Sequence, residues 1–417
     1  MDGFRLYWFS ASVSYLGDGV RFAAVPLLAA ALSPRPADVA AVAVAEGLPW
    51  LLFGLFVGVL VDRLPRLSLM SVMQLARTVL TFAIAALVAT DSMSIPLLAA
   101  AVFALSSCEV VYDVASHAAL PQIVERERIQ LANSRLMTAE VVTFEFIGPV
   151  LGAVLFSLAV VIPFTVDAAT FAISTLCLLL LVRRLPRTNR ATPTDGNESS
   201  IVQEFIEGVR WFSSQRFVRS LTLLGAGVNL GLAGFYAMLV LFAQDELGLG
   251  PTGYGLLIAT GAVGAIGAGL VADRLTSDVA RGRICLLSGP VIAVCLLVTA
   301  WSDSVLVTAA AIFVFCGAVM VFNVVAMSLR QLVTPDELLG RVLSVHRFLC
   351  WGAFPVGAAL AGLIGEIFGV RAAVAAGGMA ILLVCIFVLP TLPRNRALSE
   401  QDTVTTPPRG VEDLSGD

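Results

Sequence analysis

The chain is 417 residues long, 58% hydrophobic and only 13% charged, with a mean hydropathy of +0.91. A soluble globular chain carries about 25% charged residues, so this composition is that of an integral membrane protein. The net charge of −4 and a pI near 5.4 give no reason to expect a nucleic-acid partner. All 26 basic residues are arginine, which excludes a P-loop, Schiff-base or kinase-type lysine and with it a standard ATP motor in this chain.

A helix crossing a hydrocarbon core of ~30 Å needs about 20 mostly apolar residues. Twelve such runs are predicted, at 4–31, 38–61, 67–90, 94–118, 137–160, 163–184, 217–243, 251–272, 283–301, 304–329, 343–367 and 371–391. The first is too long for a signal-peptide core and lacks a clear small-residue cleavage site, so it is read as a span. Connections such as Ser33-Pro34-Arg35-Pro36 are a few residues long, which makes neighbouring spans antiparallel hairpins. Of the 26 arginines, 22 fall in the termini and the even-numbered loops, predicting that both termini are cytoplasmic in a plasma or inner membrane.

The predicted organisation is an N-terminal six-helix bundle over 1–186, a linker over 187–216, a C-terminal six-helix bundle over 217–392 and a disordered tail over 393–417. Within the linker, Ile201, Val202, Phe205, Ile206, Val209 and Phe212 form one helical stripe opposite Glu204, Glu207 and Arg210, the pattern of an interfacial amphipathic helix. The seven cysteines all lie in apolar runs without a CxxC pair, and read as small buried hydrophobes.

Between the second and third runs stands Gly58-Val-Leu-Val-Asp62-Arg63-Leu-Pro65-Arg66. A looser copy, Gly269-Leu-Val-Ala-Asp273-Arg274, follows 211 residues later, and Gln122-Ile-Val recurs as Gln331-Leu-Val at an offset of 209, so the chain reads as two related halves. Gly58 is expected to let a neighbouring helix approach closely, while Asp62 accepts from the N-terminal amides of a facing helix and pairs with a local arginine.

Twelve spans in two halves with this charged hinge resemble the major facilitator superfamily over residues 4–391. That pattern usually has glycine where Pro65 stands, a second basic residue where Leu67 stands, and an arginine where the second copy has Ser277. The resemblance implies an all-α polytopic membrane protein of two pseudo-symmetric bundles, working by alternating access, with Asp62 gripping the start of the eleventh span while the cytoplasmic side is shut. In the fifth span Gly148-Pro149-Val-Leu-Gly152-Ala153 is similar to a run carried by exporters of the family, with Phe144 and Ala153 in place of two of its glycines. Physically it is a proline-kinked helix with a glycine face for tight packing. The stretch from Ala119 to Asn133 also resembles the macrolide and siderophore exporter branch.

Charges at membrane depth cost ~3 kcal/mol or more, so each needs a partner or a function. Asp18 falls near the midplane of the first span with Arg21 three residues on, and Glu109, Asp113 and His117 form one stripe in the fourth. Glu140 and Glu145 lie in the fifth span, Glu46 in the second, and Arg77 in the third is a counter-ion for them. The second half has His346 and Arg347 near one end and Glu366 near the other. Asp18, Arg21, Glu109, Asp113 and Glu145 are the proton-coupling candidates, against a purely structural pairing of Asp18 with Arg21 and Glu109 with Arg77. The resemblance places spans 1, 4, 7 and 10 around a central cavity, which nominates Asn229, Phe235, Tyr236, Phe322 and Asn323 with Trp351 of span 11 for contact with substrate. Aromatic and amide groups with few charges suit a lipophilic or amphipathic solute.

The sequence therefore predicts a secondary active transporter acting as a monomer in the lipid bilayer, exporting a drug, antibiotic or siderophore against inward proton flow. A nutrient importer or uniporter of the same fold is the alternative. No nucleophile–base pair or metal-ligand cluster is recognisable, so neither an enzyme, a metal site nor a cofactor is implied.

Overall fold

The protein, seen in a computed structural model, is described over residues 2–54, 56–184, 209–275, 278–388 and 390. The linker residues 185–208 and the tail from 391 lie outside the described residues, and so does most of the expected amphipathic helix. Its last turn is present: residues 209–214 are helical, and Phe212 is buried against Val218, Val342 and Val345.

Among the described residues twelve helices are long and apolar enough to span a membrane: Gly3–Leu32, Pro36–Phe53, Arg66–Ala89, Ile95–Ile123, Ile129–Leu158, Ile162–Arg184, Arg216–Glu246, Pro251–Val271, Ile284–Trp301, Val305–Val333, Arg341–Phe368 and Val370–Val388. They are numbered here as spans 1–12. Several begin on proline, whose missing N–H is an orphan at a helix start anyway, as at Pro36 and Pro251. Spans 11 and 12 are joined by Gly369, held at φ 88, where only glycine is free of a Cβ penalty. The continuous second span expected over 38–61 is corrected. Its helix ends at Phe53, and a separate short helix, Val57–Arg63, carries the charged hinge. Glycine costs a helix interior ~1 kcal/mol, and Gly47 and Gly54 with Pro49 weaken this stretch where its packing against span 11 runs out.

Each half uses the same set of helix pairs. Span 1 packs on spans 5 and 6, span 3 on 4 and 6, and span 2 on 4; span 7 likewise packs on 11 and 12, span 9 on 10 and 12, and span 8 on 10. The halves meet through two matching seams, span 2 against span 11 and span 5 against span 8. Odd-numbered spans all run from the face that carries the N-terminus, called here the terminal face, to the opposite, far face.

Near the far face the seams are tight. A Cβ on Gly362 would collide with the Cβ of Ala40, and one on Gly255 would collide with that of Ala153 and stand 3.1 Å from the Pro149 oxygen. At the rim Arg35 donates from Nε and Nη2 to Glu366 Oε1, at 3.0 and 2.8 Å, joining the two halves. Toward the terminal face the halves part. Trp50 and Trp351 still stack across the seam, with ring centroids 5.3 Å apart, but beyond them Phe56 and Leu60 are exposed. The close helix approach expected at Gly58 is absent: no described atom comes within 4 Å of where its Cβ would be, because the short helix after the break stands clear of the opposite half. This conformation is shut at the far face.

Candidate functional site

Five of the six spans in the first half send ionisable side chains to one place near mid-membrane. Arg21 is the hub. Its Nη2 donates at 2.9 Å both to Asp18, one helical turn away, and to Glu109 of span 4. Two further carboxylates stand just beyond hydrogen-bond reach: Glu46 of span 2 at 3.8 Å from Nη1, and Asp167 of span 6 at 3.7 Å from Nε. Arg77 of span 3 donates to Asp18 and lies 3.6 Å from Glu109. Its guanidinium carbon sits 4.1 Å over the ring of Phe171, a desolvated cation–π contact. Behind it Gln74 links Arg77 to the hydroxyls of Ser14 and Ser174.

The cluster is buried unevenly. Asp18, Arg21, Arg77 and Asp167 are buried, and the side chains of Glu46 and Glu109 stay about one third exposed at 32% and 33%. Two guanidiniums face four carboxylates (Asp18, Glu46, Glu109, Asp167), a balance of 2 − 4 = −2 when all are ionised. Uncompensated charge at this depth is costly. Both carboxylate oxygens of Asp167, and Nε and Nη1 of Arg21, are buried without a hydrogen-bond partner. A movement of under about 1 Å would therefore let Arg21 exchange its bond to Glu109 for one to Asp167.

Sequence reasoning anticipated the Asp18–Arg21 and Arg77–Glu109 proximities but missed Asp167. The signal was a lone carboxylate one turn and a half into the apolar run of span 6, beside the glycine at position 17 of span 1, whose Cβ would strike that carboxylate. The other two coupling candidates stand apart. Asp113 lies one turn beyond Glu109 with its carboxylate 3.7 Å from His117 Nδ1; His117 is exposed and Asp113 half-buried. Glu145 is exposed on span 5, in a π-helical segment, Val141–Ile147.

That segment qualifies the expected proline kink. The helix widens before Gly148-Pro149, with the Gly148 N–H bonding back to Thr143 O, because Pro149 has no N–H to continue the α pattern. Beyond it Gly148 and Gly152 lie against the backbone of span 1 at Gly19 and Val20, where added Cβ atoms would clash. The widened turn presents Phe144 to Phe22, whose ring is 6.2 Å from Tyr236 of the second half.

Of the residues nominated for substrate contact, two are corrected. Phe235 and Phe322 are buried in the apolar core of the second half, where Phe235 packs edge-on to Phe315. Both lie on helices that are apolar on every side, so residue type did not reveal which side faces inward. Asn229 is half-buried, donating to Cys350 O at 3.3 Å. Tyr236 is half-buried with its hydroxyl 3.7 Å from Cys316 Sγ, Asn323 is exposed, and Trp351 is about half exposed on Trp50. Arg66 of the charged hinge donates to Ala118 O at the end of span 4, at 2.7 Å, and Arg63 is exposed. The side chains of Asp62, Asp273 and Arg274 lie outside the described residues, and Gly269 meets nothing closer than Met320 of its own half at 3.4 Å.

The family described as transmembrane secretion effector matches residues 1–413. The multidrug efflux pump Tap of Mycolicibacterium fortuitum is 26% identical over 410 residues, covering 94% of this chain and 96% of that protein. An MFS-type transporter of Bacillus subtilis strain 168, YvqJ, is 22% identical over 284 residues, 68% of this chain and 67% of that one. Among solved structures, a bacterial homologue of the iron transporter ferroportin in an inward-facing state superposes with a TM-score of 0.76 at 18% identity, covering 94% and 99% of the two chains. The nucleoside transporter NupG superposes with a TM-score of 0.74 at 12% identity, covering 93% and 100%. With twelve spans in two mirrored bundles and a family match along nearly its whole length, this chain belongs to the transmembrane secretion effector family of major facilitator transporters.

Proposed function

We propose that the protein exports a small lipophilic or amphipathic compound, driven by protons entering through the charged cluster of its first half. The observation that carries this reading is the cluster's charge balance. Four carboxylates against two guanidiniums near mid-membrane require added positive charge, and protons exchanged with alternating sides supply it. Export in place of import is supported by the distant relative Tap, a multidrug efflux pump. The second half adds a largely apolar wall with half-buried amide and phenol groups at Asn229 and Tyr236, suited to a lipophilic solute.

In this reading the terminal face is cytoplasmic, in keeping with the 22 of 26 arginines that the sequence assigns to the termini and even-numbered loops. The far-face closure then makes the present conformation the one that receives solute from inside. Protonation of a cluster carboxylate frees Arg21 to change partners, and that rearrangement biases the two halves between their arrangements. Asp167 joins Asp18, Arg21 and Glu109 as the coupling group, while Asp113 and Glu145 sit outside it.

A susceptibility screen in a pump-deficient bacterial host, across macrolides, dyes and siderophore precursors, supplies the substrate, and everted vesicles give the direction. The test is then proteoliposomes with an imposed pH gradient. Asp18→Asn, Glu109→Gln and Asp167→Asn should each lose accumulation against a gradient while retaining downhill exchange. Asp113→Asn and Glu145→Gln should retain accumulation. If all three cluster variants still concentrate substrate, coupling is not through this site and the importer or uniporter reading takes its place.

A further inference from the structure

A second feature of the first half is unrelated to the charged cluster. A groove of about 820 Å³ runs between the first turns of span 1 and the start of span 5, lined by Arg5, Trp8, Phe9 and Ser12 on one side and by Arg135 and Val142 on the other. Its direction follows from helix geometry at 100° per residue. On span 1, Gly17 faces Asp167 and Thr170 of span 6, Gly19 faces Phe144 and Gly148 of span 5, and Phe22 faces Tyr236 across the midline. Phe9 then points about 80° from either neighbour and about 140° from Phe22, which is into the gap between spans 5 and 6. The edge of the groove at Phe9 therefore faces sideways, toward the bilayer, while Trp8, about 40° from Phe22, forms its inner edge.

Its chemistry changes with depth. Arg5 and Arg135 are exposed at the terminal-face end, and among the described residues no ion pair joins either. Ser12 lies seven residues further in, about 10 Å along the helix axis, and Trp8, Phe9 and Val142 of the apolar lining are all exposed. Trp8 is fixed across the groove by its indole N–H, which donates to Arg135 O at 3.2 Å. Two unpaired cations at headgroup level above an apolar trench match an anionic headgroup with an acyl chain below it.

We propose that this groove is a binding site for one anionic phospholipid of the leaflet at the terminal face, its phosphate held by Arg5 and Arg135 and its acyl chain laid along Trp8, Phe9 and Val142. The lipid fills the groove between spans 1 and 5 and steadies the start of span 5, which leads into the π-helical turn.

The experiment is full-length protein in nanodiscs in which either phosphatidylglycerol or phosphatidylcholine carries brominated chains, with quenching at Trp8 isolated as the difference between the wild type and Trp8→Phe. Brominated phosphatidylglycerol should quench Trp8 at a lower mole fraction than brominated phosphatidylcholine, by about fivefold for each arginine engaged. In Arg5→Gln/Arg135→Gln that preference should vanish while quenching by either lipid at high mole fraction persists, which also reports that the variant is folded. Equal quenching by the two lipids, or a preference unchanged in the double variant, overturns the proposal. Loss of the preference on adding millimolar inorganic phosphate would also overturn it, since the site would then take a free anion and not a lipid.

Discussion

Arg77 is enclosed by Asp18, Gln74, Glu109 and the ring of Phe171, and none of its surface reaches water in quantity. Removing one partner of a buried pair costs ~3–5 kcal/mol, because the charge left behind has no water to turn to. Arg77→Ala should therefore lower the thermal unfolding midpoint of purified protein markedly, whatever its effect on transport. A midpoint within error of the wild type would show that Arg21 alone satisfies Asp18. A different outcome is expected at Asp62, whose role rests on sequence. Asp62→Asn should slow turnover while insertion and melting stay as in the wild type, since an amide keeps the shape but loses attraction for a helix N-terminus. Wild-type transport by this variant would remove Asp62 from the gating machinery.

At the scale of the helix, the seams between halves decide which face is open. Span 8 touches span 5 closely enough at Gly255 that Gly255→Leu would wedge the far face apart. Each 1.4 kcal/mol of strain moves a two-state balance about tenfold. Spin labels on Ser92 and Ser302, in far-face loops of the two halves, should report a longer distance in this variant, and an unchanged distance would mean that the seam yields elsewhere. How far elements were legible follows from what a sequence encodes. Apolar runs, proline starts and arginine-rich loops reveal spans and order, because the bilayer imposes length and hydropathy on every one. Asp18 and Arg21 were readable as a pair because a single helix fixes their spacing. Asp167 was not, since its meeting with Arg21 depends on how span 6 packs on span 1. The break after Phe53 and the burial of Phe235 and Phe322 also depend on packing, and a helix apolar all round carries no mark of its inward side.

Across the whole molecule the two halves share a packing plan but not a chemistry. The first half buries Asp18, Arg21, Arg77 and Asp167, whereas among the described residues of the second Arg330 is the buried charge. The two halves thus share a geometry, while the buried ionisable groups are concentrated in the first. Where the halves begin to part, the indole of Trp50 still stacks on that of Trp351, with planes 21° apart. Two strongly absorbing chromophores in van der Waals range couple their electronic transitions, and the sign and strength of that coupling depend on their mutual angle. Because one ring belongs to each half, the molecule contains its own optical goniometer. A couplet in the far-ultraviolet circular dichroism, at the intense indole band, present in the wild type and lost in Trp50→Phe, should change as the two halves rock, reporting the transport cycle from unlabelled protein.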